Sequence, residues 1–270
     1  MSRRPIGIFD SGEGGLTVMR EIARLLPGED LVYACDTAHF PYGPRPQAEV
    51  REFFLSALKF FQSHDCKLVV VACNTATAAI LDLLEEEALP MPTVGVVKPG
   101  ARAAAAISRT GRIGVAATEG TCASGVYPAL IQQDRPDAVV VQWPCPIMVT
   151  RVEEGLVSGP EVRVEVENCL KPLMAAGVDT LVLGCTHFPH MRAVIEEVVG
   201  PAVVLVDPGE ATAQEVAARL AMAGLANPGS SGRRSFFTTG DPDRFTAVAS
   251  RLWPGGVAQA HQFQLDLEQE

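Results

Sequence analysis

One arrangement occurs twice in this sequence, and that repeat restricts the fold more than any other feature. The run KLVVVACNTATAA (67–79) carries an unbroken apolar stretch into a small residue, then Cys73, Asn74 and Thr75. The run DTLVLGCTHFP (179–189) does the same with Cys185, Thr186 and His187. Short apolar runs rich in β-branched residues read as strands buried on both faces, as in parallel sheets covered by helices. Ligands of open α/β sheets bind beyond the carboxyl ends of the strands. Two thiols delivered at such ends predict one site assembled from two related halves.

The rest of the chain fits that expectation. PIGIFD (5–10) is a strand ending at Asp10, followed by SGEGG and a helix whose Leu16, Met19, Ile22, Ala23 and Leu26 recur at helical spacing. A dinucleotide fingerprint fails there, because its third glycine position is Thr17. The glycine-rich turn still exposes backbone N–H groups at a helix start, which suits a carboxylate ligand. A strand at 30–36, an ordered proline-rich loop at 37–46 and an amphipathic helix around 50–61 lead to the first cysteine strand. A helix over 76–89 and a strand at 92–97 follow. The pattern then restarts with an alanine-rich helix (101–108) and strands at 112–118 and 137–144. Next come a helix at 161–174, which Pro172 should disturb near its end, and the second cysteine strand. Ile6 to Cys73 spans 67 positions and Ile113 to Cys185 spans 72. This predicts an α/β fold of two pseudo-symmetric α/β domains with mostly parallel sheets and a site in the cleft between them. A linker-like stretch (225–234) precedes a last β-α-β piece, assigned here to the first domain to balance the sizes. The expected boundaries are 1–97 plus 210–270, and 98–209.

Composition narrows the function. A net charge of −10 argues against nucleic acid or an anionic membrane as the main partner. No apolar run is long enough to span a bilayer, and the start lacks the apolar core of a signal peptide. Seven cysteines, an odd count with no CxxC pair, read as free thiols in a reducing cytoplasm. Cys185 and His187 have no second such pair, so no metal site is expected. A redox couple would want CxxC, and a single nucleophile would leave the duplication unexplained. A proton carrier on each face of one carbon accounts for both thiols, because inverting a stereocentre removes a proton on one side and returns one on the other.

The segments IGIFDSGEGGLTV, PYGPR, ACNTATAA, TEGT, RVEEG, LVLGCTHFP and DPGEATA together resemble the glutamate racemases of the aspartate/glutamate racemase superfamily, in order from about residue 6 to 216. The resemblance implies interconversion of L- and D-glutamate in the cytoplasm without a cofactor, supplying D-glutamate for peptidoglycan. It implies Cys73 and Cys185 as the acid/base pair, with Asp10, His187 and Glu153 tuning them. Substrate contacts are implied for Asp10, Ser11, Tyr42, Gly43, Asn74, Thr75, Thr118, Thr121, Thr186 and His187. It also allows a homodimer. Lys98 and Glu13 depart from the family's usual Glu and Val, and Glu154 beside Glu153 competes for the carboxylate role. The alternatives are a racemase of another acidic amino acid such as aspartate, against which His187 speaks, and a two-lobed binding protein without catalysis.

Overall fold

A computed structural model describes residues 2–267. The first half runs β1 (Ile6–Asp10), α1 (Leu16–Leu25), β2 (Leu31–Cys35), α2 (Gln47–Ser63), β3 (Leu68–Val71), α3 (Asn74–Ala79), α4 (Leu81–Glu85) and β4 (Thr93–Gly95). After α5 (Val97–Ile107) the second half runs β5 (Arg112–Ala117), α6 (Glu119–Ser124), α7 (Val126–Asp134), β6 (Val139–Pro144), α8 (Pro146–Glu153), α9 (Pro160–Ala175) and β7 (Thr180–Gly184). A 3-10 turn at Phe188–Met191, α10 (Arg192–Val199) and β8 (Val204–Val206) complete it. The chain ends with α11 (Pro208–Met222), β9 (Arg234–Thr238), α12 (Pro242–Leu252) and β10 (Ala260–Gln262).

Two sheets form, ordered β10-β9-β2-β1-β3-β4 and β6-β5-β7-β8. All strand pairings among the described residues are parallel. The four-strand order β2-β1-β3-β4 recurs as β6-β5-β7-β8, so the sequence duplication is also a topological one. In each sheet the order reverses beside the founding strand, between β1 and β3 and between β5 and β7. Such switch points open a crevice at the strand ends. Cys73 follows β3 and Cys185 follows β7, one at each crevice. The last β-α-β piece extends the first sheet through the β9–β2 pairing.

Burial explains the layering. A single apolar cluster includes Ile6 and Ile8 of the first sheet, Ile113 and Val182 of the second, and residues of α1, α5 and α11. These helices pack between the sheets and serve both. The outer face of the first sheet is covered by α2, through Phe53, Phe54 and Phe61. That of the second is covered by α8, α9 and α10. The linker-like stretch is tied down by Lys67, whose ammonium bonds Glu29 at 2.5 Å and the Leu225 carbonyl at 2.9 Å in a fully buried ion pair.

Several local expectations are corrected. The helix expected over 76–89 is two pieces, because Ile80, fully buried, leaves helical geometry at φ −123° and ψ 15°. The strand expected to reach 97 ends at Gly95, and Val97 already opens α5. Pro99 is accommodated there because first-turn N–H groups have no partner within a helix. Pro172 does not break α9. Val162, Val166, Leu170 and Leu173 anchor that helix in the core, and the Ala176 N–H captures the carbonyls of Pro172 and Leu173.

Candidate active site

Asp10 ends β1 with no exposed surface. Its carboxylate accepts from the backbone N–H of Gly15 at 2.9 Å and, more weakly, Gly12 at 3.3 Å, so the glycine-rich turn wraps the side chain. Burial pushes the Asp10 carboxyl up to about 6, against the pull of His187 and these N–H groups. Cys73 is the N-cap of α3, its sulfur accepting from the Ala76 N–H at 3.4 Å and lying 3.7 Å from Ser11 Oγ. Burial, reinforced by Asp10, pushes its thiol up to about 12.

On the other side, Cys185 Sγ lies 3.6 Å from His187 Nδ1, and His187 Nε2 lies 2.5 Å from Glu153 Oε1. Burial alone would lower His187, but its bonds to Cys185 and Glu153 prevail and hold it well above the imidazole range. Glu153 closes α8 and faces inward, whereas Glu154 turns to Arg151 at 2.8 Å on the surface. The two halves meet directly. Thr186 Oγ1 is 3.4 Å from both Asp10 oxygens, and Thr17 Oγ1 donates to the Thr186 carbonyl at 3.1 Å. Gly14 permits the approach: a Cβ there would stand 2.6 Å from His187 Nδ1 and from Thr186 Oγ1.

The loop after β2 forms the lip. Asp36, fully buried, accepts from Tyr42 Oη at 2.7 Å and Thr239 Oγ1 at 2.6 Å, and pairs with His39 at 2.9 Å. The Tyr42 hydroxyl is therefore committed to the loop, and Gly43 reaches across to accept from the Gly120 N–H at 2.9 Å. Thr75 and Thr118 join their hydroxyls at 2.9 Å. Thr121 sits behind them, fully buried, bonded to both.

Ser11, Tyr42, Gly43, Cys73, Asn74, Thr75, Thr118, Cys185, Thr186 and His187 line one small cavity; Asp10, Glu153 and Thr121 stand behind its wall. Phe40, Pro41 and Val149 also line it, and sequence reasoning had named none of them individually. No lysine or arginine among the described residues lines it. Arg45 is drawn away by Glu49 at 2.6 Å and the His39 carbonyl at 2.6 Å. A larger cleft beside Leu89, Met91 and Arg219 has more room, but no cysteine, histidine or aspartate lines it. Two thiols, a histidine and neutral donors around one small space can hold an anionic molecule beside groups able to exchange protons with it.

The family model described as Asp/Glu/Hydantoin racemase matches residues 6–216. The chain is also 66% identical over 270 residues to glutamate racemase from Symbiobacterium thermophilum, covering 100% of this chain and 98% of the relative. The chain belongs to the Asp/Glu/Hydantoin racemase family. Among solved structures, glutamate racemase from Bacillus anthracis is similar with a TM-score of 0.92 and 38% identity, over 99% of each chain. That from Francisella tularensis, in complex with D-glutamate, gives 0.86 and 30% over 98% of each. Within the family the chain groups with the glutamate racemases, amino-acid isomerases by class. No helix among the described residues is long and apolar enough to cross a membrane.

One residue of this racemase that the sequence did not single out is Tyr127 of α7. Its buried hydroxyl donates to Asn74 Oδ1 at 2.7 Å, which fixes the amide and leaves Nδ2 as its donor. Removing one such bond costs about 1 kcal/mol. Tyr127→Phe is therefore expected to raise KM by about fivefold with a smaller change in kcat. Steady-state kinetics in both directions check this, and an unchanged KM would remove Tyr127 from the binding argument.

Proposed function

We propose that the protein interconverts L- and D-glutamate by a two-base proton transfer at the α-carbon, with Cys73 and Cys185 on opposite faces and no cofactor. The observation that carries this reading is the pair of strand-end thiols on one cavity, each with its own polar partner. His187, held protonated between Glu153 and Cys185, places a positive charge beside the sulfur of Cys185, the base on that face. Cys73, whose thiol burial keeps protonated, is then the donor on the other face. For the opposite enantiomer the roles exchange. The α-ammonium of the substrate brings a positive charge that offsets Asp10 and makes a Cys73 thiolate accessible. Hydrogen bonds from Ser11, Asn74, Thr75, Thr118 and Thr186 hold the carboxylates. These donors also stabilise the charge that develops as the α-proton leaves.

The work is divided between a unit of residues 1–97 with 210–270, bearing Asp10 and Cys73, and a unit of 98–209, bearing Glu153, Cys185 and His187. The product D-glutamate is a peptidoglycan precursor, and the reaction belongs in the cytoplasm. The complex of the Francisella relative with D-glutamate supports the substrate.

The test uses purified protein treated with chelator and hydroxylamine, with nothing added back. L-glutamate in heavy water is expected to lose its α-proton signal in NMR while its circular dichroism decays to zero. A binding protein gives neither change. Activity restored only by a metal or pyridoxal phosphate would overturn the cofactor-free mechanism.

A further inference from the structure

The turn between β1 and α1 places a carboxylic acid, Glu13, where it is 4% exposed and beside the Cys185 half of the site. The backbone on either side of Glu13 lies against the partners of Cys185: a Cβ on Gly12 would stand 3.5 Å from Glu153 Oε1 and one on Gly14 2.6 Å from His187 Nδ1, which brings the Glu13 carboxyl within hydrogen-bonding reach of that of Glu153. Two carboxyl groups can share such a bond only with a proton between them. Glu153 Oε1 also holds His187 Nε2 at 2.5 Å, and His187 Nδ1 lies 3.6 Å from Cys185 Sγ. Glu13, Glu153, His187 and Cys185 thus form one continuous chain, whose first two members lie off the cavity.

The surroundings decide which acid keeps the proton. The Tyr33 phenol and the Cys35 thiol of β2, near enough to feel the charge of Glu13, are both pushed well above their ordinary values by burial and so uncharged. Burial, then the charge of Glu153, pushes Glu13 well above the ordinary carboxylate range. Glu153 is buried too, yet the bond to His187 and the positive field of Arg244 on α12 hold it below the ordinary carboxylate range. Asp10, also near, adds a further negative charge.

We propose that Glu13 is a positioning residue for the Cys185 half of the site: it keeps its proton and donates it to Glu153, so that His187 faces a carboxyl pair carrying one negative charge. A single charge fixes the ring with Nδ1 toward the sulfur. A second charge would bind the imidazolium proton more tightly and hinder its exchange with Cys185. Loss of the Glu13 proton at alkaline pH therefore weakens the reaction. The kinetic part rests on the racemase reading above, whereas the thiol measurement does not.

The test compares the wild type with Glu13→Gln, which keeps a donor but cannot ionise, and Glu13→Leu, which has neither property. Alkylation of Cys185 by iodoacetamide is followed against pH by peptide mapping without substrate, with Cys73 as internal reference. The wild-type Cys185 profile is expected to contain an added inflection from Glu13, well above the ordinary carboxylate range, that is absent from both variants. In kcat/KM, the alkaline decline of Glu13→Gln should begin about one pH unit higher than that of the wild type, with the near-neutral rate lowered by about threefold. Glu13→Leu should be about tenfold slower throughout. A wild-type Cys185 profile with a single inflection, with no second one from a neighbouring acid, overturns the proposal whether or not either variant folds. So do superimposable wild-type and Glu13→Gln profiles. If no form racemises glutamate, the alkylation comparison alone decides.

Discussion

Replacing either Cys73 or Cys185 with serine is expected to lower racemisation in both directions by at least about a thousandfold, or about 4 kcal/mol of transition-state stabilisation. Each direction uses both residues, one to take the α-proton and the other to return one, so neither enantiomer escapes through an intact half. Serine preserves the shape of the side chain and the hydrogen bond available near Ser11 or His187. A hydroxyl, however, is far less acidic than a thiol and gives no usable anion in this setting. The loss should therefore appear in kcat with KM little moved, and substrate should still protect the protein thermally. Coupled assays for D- and L-glutamate measure it. Near wild-type turnover by either single variant would rule out the two-base mechanism.

Aspartate is expected to be a poorer substrate than glutamate by about a hundredfold or more in kcat/KM. The cavity wall offers hydroxyls, an amide and His187, with no arginine or lysine to attract a carboxylate over distance. Such donors discriminate by position. Tyr127 fixes Asn74, and the Thr75–Thr118–Thr121 cluster fixes its own hydroxyls, so these parts of the cavity wall adjust poorly to a shorter side chain. One missing methylene costs roughly 1–3 kcal/mol, and donors left unpaired in a buried site add to that. Side-by-side kinetics on the two amino acids provide the check. Equal kcat/KM would sink the specificity and leave only the reaction class.

Both thiols were legible because each lies at the end of an apolar run that can only be a buried strand, and the order of elements around them repeats. The same local logic located Asp10 and His187, each within a few residues of such an end. Element ends were less legible. Ile80 and Val97 leave or enter a helix to satisfy packing that no local pattern records. Pro172, a strong local signal, was overridden by the core contacts of α9.

The sequence by itself thus determined the duplicated α/β architecture and the two strand-end cysteines, because hydrophobic period and strand length are properties of neighbouring residues. Only the tertiary structure decided what surrounds them. Thr186 meets Asp10 across 176 positions, Tyr127 meets Asn74 across 53, and Glu153 meets His187 across 34. It also separated Glu153 from Glu154 and set the turn that carries Glu13 against the former. Those pairings depend on how two sheets close over a shared layer of helices, and adjacent side chains on one helix turn become inequivalent only once one faces His187 and the other faces water.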